Sequence, residues 1–256
     1  MKKVDLNSDL GESFGNYKIG MDEEILSLIS SANVACGFHA SDPSVMDKTV
    51  AMAKKSGVAI GAHPGYPDLV GFGRRNMNIA TVDIKAMVIY QIGALKAFCA
   101  ANNISMQHVK PHGAMYNMAE KDEKIAMAIC EAIKQVDENL ILLGPGSGKM
   151  VMAAKKLGLK TAGEVFADRA YMEDGTLVPR SMPGAMIEDE GEAVERVLKM
   201  VQDGKVTTIT GKEIMVQADS ICVHGDGEKA LLFVQKIRKN LENDGIVIAP
   251  MAEVIS

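Results

Sequence analysis

Short runs rich in Val, Ile, Ala and Leu alternate with longer segments of helical period along almost the whole chain. That alternation limits the possible folds more than any other feature. "KKVDLN" (2–7) leads to "MDEEILSLIS", and "ANVACGF" (32–38) leads to "SDPSVMDKTVAMAKKSG". In this second helix Asp42 reads as the N-cap, Pro43 as the first helical residue and Gly57 as the left-handed stop. "VAIGAH" (58–63) precedes a long helix over 81–103, and "ISMQHVKPHG" precedes "EKIAMAICEAIKQVD". "NLILLGPG" precedes "SGKMVMAAKKLG", and "LKTAGEVFADR" (159–169) enters an irregular segment. A helix near 190–203, short strands, "SICVHGD" (220–226) and the helix "GEKALLFVQKIRKNL" complete a series of about seven βα units.

The strand runs read as apolar throughout, the pattern of parallel strands covered on both faces. An open doubly wound sheet requires a glycine-rich turn after its first strand, and "NSDLGESFG" does not supply G-x-G-x-x-G. A closed barrel instead gathers polar residues where strands run into loops, and nearly every strand here ends that way. The expected fold is α/β: a TIM-like (β/α) barrel with seven strands in place of eight, one domain over 1–256. A net charge of −5 without a Lys/Arg tract argues against nucleic acid as a partner. No apolar run approaches the ~20 residues of a membrane span, and the acidic start "MKKVDLNSDLGE" lacks the core of a signal peptide. Cys36, Cys99, Cys130 and Cys222 are scattered without C-x-x-C, so reduced, buried thiols and a cytoplasmic location are expected.

The strand ends carry the candidate chemistry. The first ends in Asn7, Asp9 and Glu12, the second in His39 and Asp42, and the third in His63 and Asp68 followed by Arg74 and Arg75. The fourth ends in Lys110 and His112, the sixth in Glu164, Asp168 and Arg169 with Arg180 beyond, and the seventh in His224 and Asp226. A lone histidine at such a place is more often structural. Four of the five histidines at four strand ends point to one active face. Each residue also has a plainer reading: Asp9 and Glu12 suit a capped helical turn, Asp42 an N-cap, Arg74 and Arg75 a solvated loop, and Cys222 small-residue packing. In "HVKPHG" (108–113), Pro111 excludes a helical histidine pair. In an extended strand His108, Lys110 and His112 share one face, with His108 lower and structural. "GPGSGK" (144–149) is not a Walker A loop, because its first glycine is one residue too close and Met150 replaces the hydroxyl residue.

Six stretches in order, "DLNSDLGESFG", "ANVACGFHASDP", "GAHPGYPDLVGFGRR", "VKPHGAMYN", "EVFADRAYMEDGTLVPR" and "SICVHGD", resemble the LamB/YcsF family over nearly the whole chain. Ser41 departs from that pattern, where the family commonly has glycine. The resemblance implies a barrel of the glycoside hydrolase/deacetylase type. It also implies ATP-dependent opening of 5-oxoproline (pyroglutamate) to L-glutamate together with partner subunits B and C. A five-membered lactam is a stable amide, so phosphorylation of its oxygen before water attacks is a reasonable route. Such a site needs a base, cations for carboxylate and phosphate, and a proton donor for the leaving nitrogen. The candidate catalytic set is Asp9, Glu12, His39, His63, Lys110 and His112. Asn7, Arg74, Arg75, Asp168, Arg169, Arg180 and His224 are the candidates for holding substrate. ATP is expected to act as co-substrate through the partners, and Asp9, His39, His63 and His112 are the candidate ligands should a divalent metal bind. Two alternatives stay open: a metal-dependent amidohydrolase or deacetylase acting without partners, and a non-catalytic scaffold subunit.

Overall fold

The computed structural model describes residues 1–224 and 227–256, so Asp226 lies outside the described residues. The elements run β1 (Lys3–Leu10), α1 (Asp22–Ile25), β2 (Ser31–Ala35), α2 (Pro43–Ser56), β3 (Ala59–His63), α3 (Thr81–Ala101) and β4 (Met106–Val109). They continue with α4 (Gly113–Ala119), α5 (Glu123–Val136), β5 (Ile141–Pro145), α6 (Lys149–Lys156), β6 (Thr161–Phe166) and α7 (Glu190–Asp203). The chain ends with β7 (Lys205–Thr207), β8 (Glu213–Met215), β9 (Ser220–Cys222), α8 (Glu228–Asn243), β10 (Val247–Ile248) and α9 (Met251–Val254).

β1 through β6 and then β9 form one parallel sheet, and β9 pairs with β1 to close it into a seven-stranded barrel. The three residues of β9 serve both neighbours: Ser220, Ile221 and Cys222 pair with Asp5, Leu6 and Asn7 on one side and with Glu164, Val165 and Phe166 on the other. β10 adds a short parallel pairing to the start of β1, and β7 with β8 forms a separate antiparallel hairpin. Met251 of α9 packs with Ile141, Leu143 and Ala162 and covers the lower end of the barrel.

The local signals explain the helices. Asp42 accepts hydrogen bonds from the Ser44 and Val45 amides, Pro43 follows, and Gly57 stops α2 at φ 69°. α3 is long and apolar enough to cross a membrane by length and composition, with mean hydropathy 1.4 over its most apolar window. The sequence hides this because Asp83, Lys85 and Lys96 interrupt the apolar run. In the fold its Ile84, Val88, Ile92 and Leu95 are buried in the core.

Three expectations change. The first helix shrinks to the four residues of α1. α4 follows the fourth strand directly. The strands are not apolar on both faces: Asp5, Asn7, Ser31, Asn33, His108, Glu164 and Ser220 are all buried within them. One face of each strand packs on the helices, while the other builds an interior that is polar along β1, β2, β4 and β9 and apolar at Ile141, Leu143 and Ala162 of β5 and β6.

Candidate active site

At the floor of the barrel Asp5 accepts hydrogen bonds from Ser30, Ser31 and Ser220. One layer up, Asn7 donates to Ser220 Oγ (2.7 Å), while its Oδ1 accepts from Asn33 (2.8 Å) and Lys110 (3.2 Å). His108 fills the same layer, with Nε2 at 2.7 Å from Asn33 Oδ1. Gly61 makes room for it, since a Cβ there would lie 2.2 Å from the His108 ring.

Lys110 occupies the level above, 4% exposed. Its Nζ lies 3.0 Å from Asp9 Oδ1, 2.7 Å from Glu164 Oε1 and 3.3 Å from Cys222 Sγ, and 5.7 Å from the centre of the Phe166 ring. Burial works against its charge, but Asp9 and Glu164 outweigh it and hold the ammonium well above its ordinary pKa. Tyr116 donates to the other Glu164 oxygen at 2.9 Å. Burial also opposes the charge of Asp9, yet His63 and Lys110 hold its carboxyl well below the usual carboxylate range. Asp9 Oδ1 is fixed by Lys110 and by Asn33 (2.9 Å), which leaves Oδ2 turned toward His63 Nε2 at 3.4 Å.

The mouth is lined by imidazoles. The extended course of β4 continues through its exit: the Lys110 amide donates to Ala62 and the His112 amide to Pro64. This carries Lys110 and His112 upward, with Pro111 at the one amide that has no hydrogen to give. His63 Nε2 and His112 Nδ1 are 2.9 Å apart. His39 stacks on His112 with ring centres 3.7 Å apart and planes inclined by 3°, and its Nε2 is 3.1 Å from Glu12 Oε1. Glu12 Oε1 is 3.5 Å from His112 Nδ1. Burial and the neighbouring imidazoles push His39 well below its ordinary pKa and His112 down to about 3, so both are neutral near pH 7. Such a cluster fits only because glycines surround it. Gly73, at φ 63°, would place a Cβ 2.6 Å from His39 Cβ and 2.8 Å from His112 Cδ2.

The structure therefore brings Asp9, Glu12, His39, His63, Lys110 and His112 together. Asn7 is fully buried beneath them and reaches only their lower edge. Arg169 follows β6, 8% exposed, and donates to the Val178 carbonyl at 2.6 Å. Burial and nearby Arg180 lower its pKa from the usual arginine value. His224 lies 3.6 Å from Asp168 and is close enough to Asp9 to favour its charge. Arg74 stands over the Phe72 ring at 5.0 Å. Arg75 turns away to pair with Asp68, its Nε 3.0 Å from both carboxylate oxygens.

Asn33 and Tyr116 join the site away from any strand end, Phe166 ends β6 without a polar group to mark it, and Glu164 binds Lys110 at 2.7 Å. Polar residues inside otherwise apolar runs, as in "ANVA" and "AGEVF", are the trace they leave. The start of α6 offers no phosphate cradle: the Glu120 carboxylate accepts from the Lys149 (2.8 Å) and Met150 (3.2 Å) amides.

The LamB/YcsF family model matches residues 4–256. A relative from Clostridium beijerinckii, named as the A subunit of 5-oxoprolinase, is 63% identical over 99% of this chain and 100% of its own. Another of that name, from Bacillus subtilis, is 55% identical over 99% and 98%. Among solved structures, a lactam utilization protein from Thermus thermophilus superposes with TM-score 0.92 at 46% identity, covering 96% of this chain and 99% of that one. A T48 deacetylase shares the fold at TM-score 0.51 and 14% identity, covering 99% and 90%.

Proposed function

Because the chain belongs to the LamB/YcsF family, we propose that it is the A subunit of an ATP-dependent 5-oxoprolinase. In this reading it opens the lactam of 5-oxo-L-proline to L-glutamate with partner subunits B and C. The reading is carried by full-length relatives of that name, and the charged barrel centre suits the chemistry. Phosphorylation makes the lactam carbon electrophilic. Water attacks it, the ring C–N bond breaks with a proton passing to nitrogen, and a second water releases phosphate. The overall balance is one ATP and two waters to glutamate, ADP and phosphate.

Asp9 is the candidate base for the attacking water: it is ionised, anchored through Oδ1 and open through Oδ2. Lys110 beneath it supplies a fixed positive charge for oxygen that becomes negative in the transition state. Arg169 and Arg180 are the candidates for the substrate carboxylate, with Arg74 at the rim for phosphate. Glu120 already fills the start of α6, which favours phosphorylation on one of the partners. Four unpaired thiols fit a reducing, cytoplasmic setting.

The deciding measurement is glutamate release from 5-oxoproline plus ATP with each subunit omitted in turn. Release is expected only with all three, and Asp9→Asn is expected to lower kcat by about 100-fold or more. Undiminished release by the two partners alone would reduce this chain to a scaffold.

A further inference from the structure

Backbone carbonyls set the tautomers of two histidines at the mouth. His63 Nδ1 lies 2.7 Å from the Lys110 carbonyl and must donate to it, which leaves a lone pair on Nε2. His112 Nε2 lies 2.9 Å from the Phe72 carbonyl and donates there, which leaves a lone pair on Nδ1. These two lone-pair nitrogens face each other at 2.9 Å. Glu12 Oε1 stands 3.5 Å from the second, so a third acceptor faces the same gap, and Asp9 Oδ2 lies beside it at 3.4 Å from the first. Three acceptors grouped this closely repel one another unless a cation lies between them.

We propose that a divalent ion of the zinc class is held here by His63 Nε2, His112 Nδ1 and the Glu12 carboxylate. Ligands at about 2.0–2.1 Å from a tetrahedral ion are roughly 3.3 Å from one another, near the spacings observed. The far nitrogen of each ligating ring already donates to a carbonyl, the support that orients histidine ligands. His39 belongs to the same cluster, with ligand-type atoms of Glu12, His39, His63 and His112 all within 4.8 Å. Its ring, however, is parallel to that of His112 at 3.7 Å, and two stacked imidazoles cannot both aim in-plane lone pairs at one ion. His39 is instead a positioning residue that donates from Nε2 to Glu12. Three protein ligands leave a fourth position open beside Asp9, as in zinc sites that bind a further small ligand. The inference rests on ring geometry and holds whichever amide the site opens.

The test is metal content of the full chain after loading with Zn²⁺ and removal of free ion, with Co²⁺ absorption as the report on coordination. About one equivalent is expected for the native chain and less than about a tenth for His112→Ala. His39→Ala is expected to keep the stoichiometry while weakening affinity about 10- to 100-fold. Circular dichroism checks that each variant is folded, and Glu12→Gln, nearly isosteric, provides the test if His112→Ala is not. A native chain that takes up less than about a tenth of an equivalent overturns the proposal, with a shared proton then bridging His63 and His112. Loss of all binding in folded His39→Ala would overturn its positioning role and make it a ligand.

Discussion

Ser41 has φ 75° and is fully buried, a left-handed conformation that costs a residue with a Cβ about 1 kcal/mol or more. The backbone needs this turn because it must leave His39 and reach the Asp42 cap within three residues, and the Ser41 amide is held by the Ser13 carbonyl. Ser41→Gly, which removes the Cβ that the left-handed backbone strains against, is expected to stabilise the fold by about 0.5–1 kcal/mol. Chemical denaturation of the two proteins reads this directly, and a less stable variant would mean that the Ser41 hydroxyl is worth more than the strain.

Between elements, β3 and its parallel partner β4 fit closely. Their register shifts between Ile60 and Gly61, and the His108 ring occupies the space that a side chain at 61 would need. Gly61→Ala is expected to cost about 1–3 kcal/mol by overpacking. In a double-mutant cycle with His108→Ala the combined loss should fall well below the sum, and strict additivity would exclude the steric account. The elements themselves were largely legible. α2 is announced by Asp42, Pro43 and Gly57, and the βα alternation by its two periodicities. α4 was not, because Gly113 and Ala114 follow Pro111 and resemble a loop until the Ala114 amide is seen to dock on Gly73. Nor was β10, whose two residues are too short a run to show a period. Asp9, His63 and Lys110 stood out because they lie where strands become loops. Asn33 and Tyr116 did not, because only barrel closure brings a mid-strand amide and a helical phenol to the same charges.

Closure of the whole barrel concentrates polar groups at its floor. Asp5 ties β1 to Ser31 of β2, to Ser30 just before it and to Ser220 of β9, across the seam where the sheet closes. Burial outweighs these hydrogen bonds and raises Asp5 from its ordinary 3.8 to about 6. The native state thus keeps a proton that the unfolded chain gives up at lower pH. Stability contributed by protonated Asp5 is fully present below about 3.8 and is lost as pH rises through about 6. At about 1.4 kcal/mol per pKa unit the loss approaches about 3 kcal/mol. Urea unfolding between pH 4 and 7 should therefore show Asp5→Asn gaining on the native chain by about that amount; a constant difference would mean that Asp5 titrates normally.

The layered interior running from Asp5 through Asn7 and His108 to Lys110 and Glu164 has a consequence for how this chain tolerates change. A greasy core accepts many residues of about the right bulk. Here each inward position that carries a polar side chain must be a particular donor or acceptor, since any buried group left without its partner is penalised in full. Random replacement should thus be absorbed readily on the strand faces under the helices and almost nowhere on the faces inside. The cavity that performs the chemistry is then also the part of the sequence with the least freedom to drift.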